Sequence, residues 1–285
     1  MLWAFLSIFS GLGDAISYAM IKKLNKLDLY VKLLFYNLIT LPFLLVGFLF
    51  YEIPAVSNYF YAIVGINVVL WLIAIFLLMK SLQESDLSIS IPLLSFTPIF
   101  LLFVSYALLG EFPTNLGLIG ILIVVFGSYI LHISSIKRGY IEPFKSIFKN
   151  KGIYMIIAAF LFSITASLAK KGIQLSNPAY FMFIHYLFAS IILMILFFNR
   201  IKHNKKILKQ NFKYILIIGI SVASSELLAG AALNSAIVPY VISLKRSNII
   251  FSVILGFFLF KEKNFKEAII GAIIMFIGAV LITLS

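Results

Sequence analysis

Long runs of apolar residues fill the sequence from end to end, and ten of them have the length of a membrane-spanning helix. A helix needs about 20 mostly apolar residues to cross the hydrocarbon of a bilayer. Hydrophobic residues make up 62% of the 285-residue chain and charged residues 12%, against about 25% charged residues in a soluble domain. The predicted spans are 2–21, 30–50, 59–79, 87–109, 115–133, 152–170, 178–198, 212–234, 237–260 and 265–284. These runs lack the alternation of barrel strands, so the sequence predicts an all-α integral membrane protein with ten transmembrane helices.

The basic residues are distributed unevenly along this pattern. Of the 23 Lys and Arg residues, 19 lie in or beside connections that follow odd-numbered spans, whereas Lys170 and Lys171 follow an even-numbered span. Loops rich in Lys and Arg stay in the cytoplasm, so both termini are predicted to lie outside a multi-pass plasma or inner membrane protein. The net charge of +13 therefore does not indicate nucleic-acid binding, since no basic extramembrane module is predicted.

A short motif in the first half recurs 151 residues later in the second half. Glu111, Gly120 and Gly127 align with Glu262, Gly271 and Gly278. The chain is predicted to comprise a first repeat at 1–137, a basic cytoplasmic linker at 138–151 and a second repeat at 152–285. Because each repeat holds five spans, an odd number, the repeats insert in opposite orientations. Such an inverted repeat permits alternating access to a site near the midplane of the membrane.

The same motif carries a resemblance to a known family. Gly110-Glu111 precedes one pair of glycines and Lys261-Glu262 precedes the other, with Lys261 standing where the family usually has glycine. In this pattern the whole chain resembles the EamA-like branch of the drug/metabolite transporter superfamily, which has two five-helix repeats. The resemblance implies a permease with a central cavity lined by spans 1, 3, 4, 6, 8 and 9, and with spans 5 and 10 at the periphery. The glycines themselves indicate only that helices pack closely there.

Two carboxylates lie inside predicted spans, where an ionised side chain costs about 2.5–3.5 kcal/mol on insertion scales. Asp14 shares a helix face with Ser7, Ser10 and Ser17, because residues three or four apart are neighbours on a helix. This stripe resembles the first helix of small multidrug resistance transporters, which implies a carboxylate that binds protons and cations. Glu226 is central in the eighth span. Both are predicted to couple transport to protons or to bind substrate; the alternatives are an acid paired with a base and a bond between helices.

Lys245 and Arg246 lie inside the ninth span and are the most specific local feature of the chain. Their repeat equivalents, Leu94 and Ser95, are uncharged, so the scaffold does not require the pair. Arg offers a bidentate fork and Lys a point charge, both suited to phosphate or carboxylate. The pair is similar to that of plastid triose-phosphate translocators in the same superfamily, which implies anion binding. Internal pairing with the two acids is the alternative, and one base can bind substrate while the other pairs with Glu226.

Other positions give weaker signals. Asn67 and Trp71, four apart in the third span, and Tyr240 in the ninth are predicted to line the cavity, with helix packing as the alternative. His185 is predicted to be a hydrogen-bonded core residue. Pro92, Pro98 and Pro239 are predicted to kink or unwind the fourth and ninth spans. Lys170 and Lys171 are predicted to snorkel at an interface. Glu111 and Glu262, which lie at span ends, are predicted to be structural.

Together these features predict a secondary transporter that moves a small metabolite, with an anion as one option, by proton-coupled or exchange transport. An exporter of cationic or amphipathic compounds that uses Asp14 and Glu226 as binding groups is the alternative. An intramembrane enzyme is disfavoured, because the sequence has no His-Glu-x-x-His, paired-Asp or Gly-x-Ser-x-Gly motif. We expect no catalytic residue, metal or cofactor. The expected partners are a small-molecule substrate, the lipid bilayer and, as an open alternative, a second copy of the chain.

Overall fold

The computed structural model describes residues 1–84, 91–134, 152–261 and 265–285. Within these ranges the secondary structure is helical, with no strand. The α-helices are α1 (Leu2–Lys23), α2 (Leu29–Leu44), α3 (Asn58–Glu84), α4 (Phe96–Leu109), α5 (Asn115–Ser134), α6 (Gly152–Gln174), α7 (Pro178–Gln210), α8 (Phe212–Ser235), α9 (Val238–Lys245), α10 (Asn248–Phe260) and α11 (Phe265–Thr283). Two 3-10 helices, Leu45–Leu49 and Ile91–Ser95, follow α2 and precede α4. The predicted linker at 138–151 and Glu262 lie outside the described residues.

Seven helical segments in the described ranges are long and apolar enough to cross a membrane. They are Leu2–Lys23, Leu29–Leu49, Asn58–Gln83, Ile153–Gln174, Pro178–Ile201, Phe212–Ser235 and Val238–Phe260. Three shorter apolar helical segments, Leu93–Leu109, Asn115–Ile130 and Ile270–Thr283, fall in or beside α4, α5 and α11. The prediction of an all-α protein with multiple membrane spans is confirmed.

Local capping determines where two of these helices begin. The side chain of Asp28 accepts hydrogen bonds from two backbone N–H groups in the first turn of α2, at 3.0 and 3.2 Å. The side chain of Asn177 accepts one from the first turn of α7, at 2.9 Å. Such caps satisfy N–H groups that have no partner inside the helix.

The ninth predicted span is divided into two helices. α9 ends and α10 begins on either side of Arg246 and Ser247. The backbone N–H of Ser247 donates to the carbonyl of Leu244 at 3.0 Å, a contact over three residues that tightens the chain into a 3-10 turn. The break therefore lies directly beside the two basic residues of this span.

The prolines do not kink the α-helices in which they lie. The fourth span is unwound into a 3-10 helix at Pro92, as predicted, whereas the ninth span breaks at Arg246 and Ser247 and not at Pro239. Pro239 lies in the first turn of α9 and Pro98 in the first turn of α4, while Pro92 lies in the preceding 3-10 helix. A proline is tolerated in the first turn because its missing N–H would have no partner inside the helix.

The two halves pack against each other in a reciprocal pattern. α1 packs against α8, and its equivalent α6 packs against α3. α1 also packs against α9 and α10, whereas α6 packs against α4 and the 3-10 helix before it. α2 packs against α7 and α5 against α11. Each of these helix contacts thus has an equivalent contact in the other half, as expected of an inverted repeat about a twofold axis.

The repeated glycines bring the backbones of α5 and α11 into contact. A Cβ atom on Gly120 would lie 2.8 Å from the carbonyl oxygen of Gly278, and one on Gly278 would lie 2.7 Å from that of Gly120. A Cβ atom on Gly127 would lie 2.7 Å from the backbone nitrogen of Met275. Small residues allow this close approach of helices in a membrane, as the glycine spacing predicts.

We expect Gly120→Ala to destabilise the protein, because the added methyl group meets backbone atoms of α11 that cannot move independently. Overpacking of this kind costs about 1–3 kcal/mol, so thermal unfolding in detergent should begin at a lower temperature. Gly65→Ala is the matched control, since a Cβ atom there has no neighbour within 4 Å and alanine favours the helix. Equal melting temperatures for the two variants would contradict the packing argument.

Candidate functional site

A cavity of about 100 Å³ lies between the two halves, with room for several water molecules. Its wall is built from α1, α2, α3, the 3-10 helix before α4, and α6 to α9. The lining residues are Asp14, Tyr18, Tyr36, Asn67, Trp71, Ile75, Leu94, Phe162, Thr165, Ala166, Ala169, Phe181, Met182, His185, Glu226, Ala229, Leu233, Ile242, Lys245 and Arg246. The helices of the implied cavity all contribute, and α2 and α7 add Tyr36, Phe181, Met182 and His185.

Two glycines of α1 place Asp14 at the centre of the site. A Cβ atom on Gly13 would lie 2.7 Å from the carbonyl oxygen of Ser221 on α8. A Cβ atom on Gly11 would lie 2.7 Å from the carbonyl oxygen of Lys245, at the end of α9. The backbone of α1 therefore touches both helices, and Asp14 reaches groups on each of them.

A buried ion cluster joins α1, α8 and α9. The Lys245 Nζ atom lies 3.4 Å from Oδ2 of Asp14 and 3.4 Å from Oε1 of Glu226. The Ser225 hydroxyl donates to Oδ1 of Asp14 at 2.5 Å, and Ser10 lies 3.1 Å from the Ser225 hydroxyl oxygen. One ammonium group is thus shared by two carboxylates, and the second oxygen of Glu226 has no hydrogen bond within the described ranges.

Arg246 faces the same cavity and interacts electrostatically with Asp14, but no hydrogen bond or ion pair joins it to this cluster. It is only 5% exposed, and its guanidinium has no ion pair or hydrogen bond among the described residues. Its Nε atom is buried without a partner. Of the two alternatives predicted for the basic pair, internal pairing is observed for Lys245 and not for Arg246. Within the described ranges, no group of three or more His, Asp or Glu side chains is placed to hold a metal ion.

Comparison with known proteins agrees with this architecture. The model of the EamA-like transporter family matches residues 1–133 and 150–284. The chain belongs to the EamA-like transporter family. A solved structure described as "Crystal structure of protein" has the same fold, with a TM-score of 0.64 and 12% sequence identity over 98% of this chain and 96% of its own. No curated protein matches the chain.

Six of the seven binding residues predicted for this EamA-like transporter line the cavity. They are Asp14, Asn67, Trp71, Glu226, Lys245 and Arg246. Tyr240 does not: its hydroxyl accepts a hydrogen bond from the backbone N–H of Thr114 at 3.0 Å. Its ring stacks on Trp3 with centroids 6.1 Å apart, and a Cβ atom on Gly117 would lie 2.5 Å from a ring carbon. Tyr240 therefore holds α9 against the connection between α4 and α5.

The aromatic part of the cavity wall contains residues that the sequence analysis did not select. His185 is buried as predicted but lines the cavity, with its ring perpendicular to that of Trp71 at 5.1 Å. Its Nδ1 atom has no hydrogen-bond partner within the described ranges. Tyr18 lies one turn after Asp14, a spacing that points to the same face. No comparable signal identifies Tyr36, because its place on the wall depends on how α2 packs.

A second buried ion pair lies beside the cavity, and it corrects the prediction for Lys170. That side chain is buried, forms an ion pair with Oε1 of Glu111 and donates to the carbonyl of Ala236 at 2.7 Å. It therefore does not snorkel to an interface, because a buried acid is within its reach. Lys171, the next residue, is half-buried. Glu111 has the structural contacts predicted for it, since its other carboxylate oxygen accepts the backbone N–H of Val238 at 2.8 Å.

Proposed function

We propose that this EamA-like transporter moves a small anionic metabolite across the plasma membrane by alternating access, coupled to protons. The observation that carries the proposal is the buried guanidinium of Arg246, which faces the cavity and has no partner among the described residues. A buried guanidinium without a hydrogen-bond acceptor is costly. A carboxylate or phosphate group would supply the missing acceptor in the bidentate geometry that arginine prefers.

The charge balance of the cavity supports proton coupling. Asp14, Glu226, Lys245 and Arg246 sum to zero when all four are ionised. A bound anion would leave one uncompensated negative charge in a low-dielectric space, and one proton would remove it. Glu226 is the carboxylate that we assign this proton, because it has a single 3.4 Å contact to Lys245, whereas Asp14 is held by Lys245 and Ser225.

We further propose ten spans arranged as two inverted five-helix repeats, with both termini outside. The seven long apolar segments and the three shorter ones together match the ten predicted runs. The bias of 19 basic residues to connections after odd-numbered spans supports this orientation through the positive-inside rule. Rocking of one rigid half against the other about the central cavity then opens the cavity to each side of the membrane in turn.

The proposal is tested with purified protein in proteoliposomes. A thermal-shift screen first ranks phosphorylated metabolites, carboxylates, amino acids and cationic dyes, and an imposed pH gradient then drives uptake of the anions that stabilise the protein. We expect accumulation with the proton gradient, and none in Glu226→Gln, because that variant cannot take up and release the coupled proton. Uptake of an anion that ignores the gradient would remove proton coupling. If the stabilising ligands were zwitterions, their binding would leave the net charge of the cavity unchanged, and the charge-balance argument for proton coupling would not apply.

Export of cationic compounds is the second candidate function. The unpartnered oxygen of Glu226 and the aromatic rings of Trp71, Phe162 and Phe181 at the cavity wall are groups that favour cations. This alternative predicts efflux of cationic dyes that is lost in Asp14→Asn and Glu226→Gln but is retained when Arg246 is replaced. The anion proposal predicts instead that transport is lost when Arg246 is replaced.

A further inference from the structure

The contacts around Glu111 form a compact cluster that joins the two halves of the chain. Glu111 follows α4 in the first half, while Lys170 of α6 and the connection from Ala236 to Val238 belong to the second half. Its contacts are the Glu111–Lys170 ion pair, the Val238 N–H bond to Glu111 and the Lys170 bond to the carbonyl of Ala236. The Ser105 hydroxyl of α4 also donates to Glu111, at 3.3 Å. We call this set of residues the latch.

The latch adjoins one end of the cavity. Ala169, directly before Lys170, lines the cavity, as do Leu233 on α8 and Ile242 on α9. The latch residues of α6 and α9 therefore belong to helices that wall this end of the cavity. The side chains of Lys170 and Glu111 are 9% and 13% exposed, so the ion pair is largely closed to solvent.

Helix α9 connects the latch to the charged centre of the cavity. It has eight residues, and at 1.5 Å per residue it is about 12 Å long. Its first N–H is held by Glu111, and its other end carries Lys245, with Arg246 next in the chain. Tyr240 ties the same helix to Thr114. A movement of α9 would thus displace the latch and the basic residues together.

We propose that Glu111 and Lys170 are positioning residues: their latch closes this end of the cavity and holds α9, and it must open for the cavity to reach this side of the membrane. The inference rests on the proposed transport function. Separating the pair leaves two charges in a buried place, which is tolerable only when water enters. This end of the cavity is therefore either closed, with the ion pair intact, or open, with water around the separated charges, as a two-state gate requires.

Thiol labelling tests the latch without any knowledge of the substrate. The chain contains no cysteine, so Ala166→Cys places a single thiol on the cavity wall, one turn before Lys170. A membrane-impermeant maleimide is added to vesicles from each side in turn. We expect Glu111→Gln to raise the labelling rate at least about 10-fold from the latch side alone, with Lys170→Met doing the same and Lys170→Arg keeping the slow rate.

Asp28→Asn is the matched control, because it removes a carboxylate from an exposed ion pair with Arg200, 3.3 Å long, on other helices. Its labelling rate should equal that of the parent. An unchanged rate in both Glu111→Gln and Lys170→Met would overturn the latch, and so would an equal rise from both sides, which indicates general loosening. If the parent transports no anion while the labelling changes as expected, the proposed function fails and the latch stands. If transport is observed with unchanged labelling, only the latch fails.

Discussion

Replacing Arg246 with methionine is expected to weaken anion transport strongly and to leave the fold intact. The guanidinium supplies the charged hydrogen bonds to the substrate, which contribute about 1.5–3 kcal/mol each. The apparent affinity of the protein for the anion should therefore fall by about 10-fold to 100-fold for each bond lost. Because Arg246 has no hydrogen bond or ion pair among the described residues, its loss breaks no such contact, and a proton on Glu226 removes the negative charge that is then left over in the cavity. The melting temperature in detergent should be unchanged or higher, since methionine fills similar volume without a buried charge.

The matched control is Arg200→Met. Arg200 is a half-exposed arginine whose ion pair with Asp28 lies away from the cavity, and exposed pairs contribute little. Transport by this variant should equal that of the parent protein in the same proteoliposomes. Anion uptake that survives Arg246→Met with unchanged affinity would refute the assignment of the binding group.

Unlike Arg246→Met, the substitution of the neighbouring residue, Lys245→Met, is expected to destabilise the protein strongly. Its ammonium group is the shared partner of Asp14 and Glu226, both within 3.4 Å. Removing it leaves two carboxylates side by side in a buried place, and breaking a buried pair in this way costs about 3–5 kcal/mol. The loss should lower the melting temperature in detergent by roughly 10 °C and reduce the yield of monodisperse protein.

The control is the variant in which all three charges are neutralised, Lys245→Met with Asp14→Asn and Glu226→Gln. Its stability should return towards that of the parent, because no ionised carboxylate is left without its ammonium partner, while proton-coupled transport should stay absent. A Lys245→Met protein that melts with the parent would show that the cluster does not depend on this ammonium group.

The two halves share a scaffold but differ in the chemistry at equivalent places. The first half breaks its fourth span at the 3-10 helix Ile91–Ser95, and the second half breaks its ninth span at Arg246 and Ser247. Leu94 lines the cavity at the first break, and Lys245 and Arg246 line it at the second. The interrupted helices thus belong to the repeat, whereas the charges belong to one copy, which supports a role for the charges in function.

Much of the architecture follows from local properties of the sequence. The length and hydrophobicity of each apolar run are enough to predict that it spans a membrane, so the membrane class can be identified without coordinates. The recurrence of Glu111 and Gly120 in the second half is likewise visible in the residue spacing. The same reasoning selects Asp14, Glu226, Lys245 and Arg246, because an ionised group inside a span needs a polar surrounding wherever the helix lies.

The tertiary structure alone decided which of these charges pair. The rotation and depth of each helix set the pairing, and they depend on contacts such as that of Gly13 with α8, which have no signature in a single span. For the same reason Lys170 is buried against Glu111 and not at an interface, Tyr240 is withdrawn from the cavity, and His185 enters its wall. Hydrophobicity is a property of each segment, whereas the partner of a charge is a property of the packed bundle.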